Sequence, residues 1–77
     1  MRYFFHIRSD EEYDADVEGI ELPSLEAAIN EATLSAREIV AERVLRDQRI
    51  DHMRFEIADG QEQILGVVYF RNVVKMD

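Results

Sequence analysis

The residues able to do chemistry are concentrated in one acidic run. Asp10, Glu12, Asp14, Asp16, Glu18 and Glu21 fall at positions 1, 3, 5, 7, 9 and 12 of a window with the spacing of an EF-hand calcium loop. Val17 supplies the apolar residue at position 8. Position 6 is Ala15, where that loop needs glycine for its sharp turn, and a strand-like segment precedes the window instead of a helix. The run reads as a solvated acidic loop whose metal chemistry extends to weak, nonspecific cation attraction, and no metal ligand is assigned.

The remaining candidates are few. His6 is a possible general base or pH switch, but the sequence identifies neither a carboxylate to orient it nor a nucleophile for it to activate. His52 follows Asp51 and reads as an exposed loop residue. Ser9, Ser24 and Ser35 suit a turn, a helix cap and a helix surface respectively. There is no Gly-rich phosphate loop and no nucleophile elbow. No catalytic residue and no cofactor are therefore expected.

Charge narrows the partners. Seventeen acids against nine bases give a net charge of −8. Nine of the acids lie between Asp10 and Glu31, and no Lys or Arg interrupts them from Ser9 to Ala36. Such a field repels phosphate backbones, so nucleic acid is not an expected partner. The cluster of Arg43, Arg46, Arg49 and Arg54 is the one local feature in favour of a nucleic-acid-linked regulator, which stands as an alternative. The absence of cysteine excludes disulfides and thiolate metal sites. The opening Met1-Arg2-Tyr3-Phe4-Phe5-His6 lacks the long apolar core of a signal peptide, and no apolar run approaches the roughly 20 residues of a membrane span. A cytoplasmic location without membrane contact is the expectation.

The elements that must position these residues follow from periodicity. Arg2–Arg8 alternates as a strand, with Tyr3, Phe5 and Ile7 on one face and Phe4, His6 and Arg8 on the other. Ser9–Ala15 reads as a turn, and Asp16–Glu21 as a short second strand forming a hairpin with the first. Leu22-Pro23-Ser24 announces a helix, with Ser24 as N-cap and Glu26 complementing the dipole. Apolar residues then recur at helical spacing from Leu25 through Val44, and the helix is expected to end near Asp47, with Glu42–Arg46 as an i,i+4 pair. Met53–Ala58 alternates with Met53, Phe55 and Ile57 inward. Asp59-Gly60 signals a hairpin turn, and Ile64–Arg71 is the last strand, with a tail from Asn72. The whole chain, residues 1–77, is one α+β domain of order β-β-α-β-β, a four-stranded and mostly antiparallel sheet with one long helix on one face.

One helix covers only one face. Phe4 lies opposite Tyr3 and Phe5, and Val68 and Phe70 lie opposite Val67 and Tyr69, so apolar side chains occupy both faces. Phe4, Val68 and Phe70 are therefore the candidates for self-association, and a homodimer or other homo-oligomer is expected, with an unidentified protein partner as the other use of the same surface.

Arg2-Tyr3-Phe4-Phe5-His6-Ile7, followed by Glu18-Gly19-Ile20-Glu21-Leu22-Pro23 and an Ala/Glu-rich helix, resembles a family of short bacterial proteins known as a domain of unknown function. Arg54-Phe55-Glu56-Ile57 with its polar turn and final apolar strand extends the resemblance over nearly the whole chain. Ser9-Asp10-Glu11 stands where such proteins often have a glycine, and the last strand has Val68 and Tyr69 in place of a proline. The resemblance implies the fold and transfers no site residue. The function expected from the residues is a noncatalytic interaction or regulatory module acting as a homo-oligomer. A nucleic-acid-linked regulator and a small-ligand or cation sensor using the acidic loop are the alternatives.

Overall fold

The computed structural model describes residues 1–74. Alternation in the first segment forms β1 (Arg2–Arg8), the longest strand. Two short strands follow, β2 (Tyr13–Asp14) and β3 (Ile20–Glu21), then α1 (Leu25–Leu45), β4 (Arg54–Ala58), β5 (Ile64–Tyr69) and one turn of 3-10 helix over Phe70–Asn72. All pairings are antiparallel. The order is β2-β1-β4-β5, with β3 also pairing with β1. The sheet is open, and one helix packs on it, as the α+β reading predicts.

The expected second strand is divided. Tyr13 and Asp14 pair with Arg8 and Ile7, Ile20 and Glu21 pair with Tyr3 and Arg2, and residues 15–19 bow out between them. Asp16 causes the division by capping a turn rather than extending a strand. The sheet accordingly has five strands in place of four.

The helix begins where Ser24 directs it. Its Oγ accepts the Ala27 N–H at 3.1 Å, a cap worth about 1 kcal/mol. Arg46 and Glu42 form the expected pair at 3.1 Å. The helix closes at Leu45, slightly before Asp47, which takes a positive φ of 57°. Ala28, Ala32, Ala36 and Val40 make one buried row at four-residue spacing. These small side chains let the helix sit close to the sheet, whose larger residues fill the space beneath it. Tyr3, Phe55, Ile57, Val68 and Phe70 all belong to that core, with Phe5 and Ile7 packed against it. Phe5 meets Phe55 edge-on at 6.2 Å, and Phe55 lies 5.3 Å from Phe70.

The β4–β5 connection differs from a two-residue turn. Asp59 Oδ1 accepts the N–H groups of Gln61 and Gln63, both at 2.9 Å. The positive φ falls at Glu62 (62°), while Gly60 is not among the positive-φ residues. A register shift beside Ile57 and Ala58 adds a bulge as β5 begins. The tail expected from Asn72 starts inside the 3-10 turn, with Val73 buried, and its last residues lie outside the described chain.

Candidate functional site

Register decides which residues share the uncovered face. Phe4, His6 and Arg8 of β1 stand opposite Ala58, Glu56 and Arg54 of β4. Glu56 and Arg54 stand opposite Val67 and Tyr69 of β5. Phe55 pairs with Val68, which turns Val68 towards the helix.

The three self-association candidates are thereby separated. Val68 and Phe70 lie in the core, and Phe70 is fully buried. Only Phe4 is on the open face, where it is half-buried. The apolar surface actually presented by β5 is made by Ile64, Val67 and Tyr69, which are 47%, 42% and 41% exposed. The parity of the last strand is as expected, but the helix covers the opposite set of side chains.

At the centre of the open face, Glu56 accepts from Arg8 Nε at 2.9 Å and from Arg54 Nε at 3.3 Å. Burial opposes ionisation of Glu56, but the two guanidinium groups outweigh it and hold its pKa below the ordinary value. Arg8 also lies over the Tyr13 ring, 4.1 Å from its centre.

The edge of β1 is closed by the acidic loop. Asp16 Oδ2 accepts the Phe5 N–H, and Oδ1 accepts those of Glu18 and Gly19, all at 3.1 Å. The Asp16 N–H donates in turn to His6 Nδ1 at 3.0 Å. His6 is buried, and with Nδ1 accepting, its neutral ring carries the proton on Nε2. Burial raises the Asp16 pKa, but the Phe5, Gly19 and Glu18 N–H groups outweigh it, and the net shift is downward. His6 and Asp16 together form a clasp that fastens the loop.

The six acids of the calcium-like spacing do not converge. Asp16 caps its own turn, Glu21 pairs with Arg2 and the Met1 amine, Glu12 faces Arg43 at 3.9 Å, and Asp10 faces His52 at 3.8 Å. Among the described residues, no group of three or more His, Asp or Glu side chains is gathered to hold a metal ion. Ser9 Oγ accepts the N–H groups of Glu11 and Glu12, a turn role. Asp10, Glu12, Arg43, Arg49 and His52 line an open cleft of about 620 Å³ at this end of the sheet. Arg43, Arg46, Arg49 and Arg54 each face a carboxylate: Glu12, Glu42, Asp51 and Glu56 respectively.

A family model described as a domain of unknown function (DUF6894) matches residues 2–71. The match runs from the start of β1 into the 3-10 turn, and so takes in every strand and the helix. The chain belongs to this family. No curated protein and no solved structure gives a significant match. An edge strand was one of the two surfaces expected to join a homodimer, and within the described residues β5 is the strand left at a free edge. Ile64-Leu65-Gly66-Val67-Val68-Tyr69 contains no charge and no proline, and that run was a signal available in the sequence. Among the described residues, no helix is long and apolar enough to cross a membrane.

Proposed function

We propose that this domain is a noncatalytic protein-interaction module that works as a homo-oligomer. The observation that carries the reading is the exposed strip of Ile64, Val67 and Tyr69 beside an unpaired strand edge. Monomeric proteins protect such edges with charge, proline or a covering element. This chain closes its other edge with β2, β3 and the Asp16 cap, whereas β5 has no charge or proline and no described residue covers its edge. The polar groups of greatest interest support architecture: His6 and Asp16 hold a loop, and Glu56 joins two arginines. In this reading the module is cytoplasmic, in keeping with a chain that has no cysteine.

Light scattering over a concentration series tests the proposal. A mass rising from one copy to two at high micromolar concentration supports it. A single-copy mass throughout, with no change on dilution, contradicts it.

A further inference from the structure

We propose that two copies join by pairing their β5 edges antiparallel about a two-fold axis at Val67, giving one continuous sheet across the dimer. This rests on the oligomer reading above and specifies its surface.

The backbone fixes which groups are on offer. Phe70 N–H donates to Met53 O at 3.0 Å, next to the Tyr69–Arg54 pair. Alternation then turns Val68 and Gly66 towards β4 and directs the N–H and C=O groups of Val67 and the N–H of Tyr69 out of the sheet. No described residue takes up those groups, and β5 is the terminal strand of the order. The side chains of Val67 and Tyr69 stand on the open face directly beside them. The edge thus presents a row of donors and acceptors flanked by apolar surface, which is what a second strand requires.

Charge selects the occupant and its direction. The strand is neutral, but its ends differ in sign: Asp59 and Glu62 precede it and Arg71 follows it, with Glu62 and Arg71 exposed. Antiparallel pairing at Val67 brings the Arg71 end of one strand to the Glu62 end of the other, at both ends of the joint. Parallel pairing sets like charges together. No charged residue faces its own copy on the axis, because Val67 occupies it. The edge is its own complement, and an isologous two-fold joint follows. A six-residue edge is small against the roughly 1,200–2,000 Å² of a standard stable interface, so the joint is a weak one that opens on dilution.

The cysteine-free chain makes single-cysteine oxidation a clean test. In a hydrogen-bonded antiparallel pair the two Val67 Cα atoms lie about 5.5 Å apart, within disulfide reach. Val67→Cys is expected to cross-link at least about tenfold faster than Gly60→Cys, whose side chain enters open space in the turn. Val67→Lys is expected to sediment as a monomer with an unchanged circular dichroism spectrum. The cross-linking comparison stands independently if that lysine variant folds poorly. A dimer in which Val67→Cys shows no preference overturns the edge joint and leaves the oligomer reading intact. A monomer at all concentrations, with no cross-linking preference, overturns both and leaves the edge to a strand of another protein.

Discussion

Asp16 shows how much a partly exposed residue can hold. Its carboxylate takes three backbone N–H groups, one on β1 and two in its own turn. Asp16→Ala is expected to cost about 2 kcal/mol, because a charged acceptor is lost and the half-buried Phe5 N–H loses its partner. Thermal denaturation read against the parent protein checks this. The native pKa values of Asp16 and Glu56 both lie below their ordinary 3.8 and 4.5. Their contribution is therefore full above those values and is lost as the pH falls through them towards the lowered native values. Chemical denaturation at a series of acid pH values should show that loss, and Asp16→Asn with Glu56→Gln should flatten it. An unchanged slope contradicts the assignment. Gly19 is a sharper case. At φ +71°, an added Cβ comes 2.9 Å from the Tyr3 carbonyl oxygen, so Gly19→Ala is expected to cost about 2 kcal/mol or more. Gly66→Ala meets only ordinary contacts with Leu25 and Ile29 and is expected to be neutral or stabilising by up to about 1 kcal/mol. Little of this was legible in the sequence. Ser24 announced itself through the proline before it, whereas Asp16 was one acid among many until its turn placed it beside β1.

Among the elements, the helix and β4 were the most readable, because their periodicities are long and regular. Ala28, Ala32, Ala36 and Val40 fall on the predicted stripe, and Met53, Phe55 and Ile57 point inward as alternation requires. The last strand was misread for a physical reason. Alternation divides Val67 and Tyr69 from Val68 and Phe70, but it does not say which set the helix covers. That depends on the Phe55–Val68 register, set through the Asp59 turn and the bulge near Ala58. Grouping Phe4 with Val68 and Phe70 therefore joined residues from opposite faces. The acidic hairpin strand failed differently, because its alternation was interrupted by a side-chain cap. The close seat of the helix has its own test. Ala32→Leu forces a larger side chain into a fully buried position and is expected to cost about 1–3 kcal/mol, while Leu34→Ala, on the exposed side, should change stability by less than about 0.5 kcal/mol. Equal effects in thermal melts contradict the described packing.

At the scale of the whole molecule, the two sheet edges are treated oppositely. One is fastened by β2, β3, Asp16 and His6, and the other is an uncharged run with its backbone groups turned outward. A net charge of −8 keeps copies apart in general, so association depends on that neutral edge. Amide hydrogen exchange at Val67 and Tyr69, followed from low to high micromolar protein, measures it most directly. Protection at both amides that rises with concentration, while Phe5 and Phe55 stay unchanged, is the predicted result. Exchange at Val67 and Tyr69 that remains fast at every concentration contradicts the edge joint.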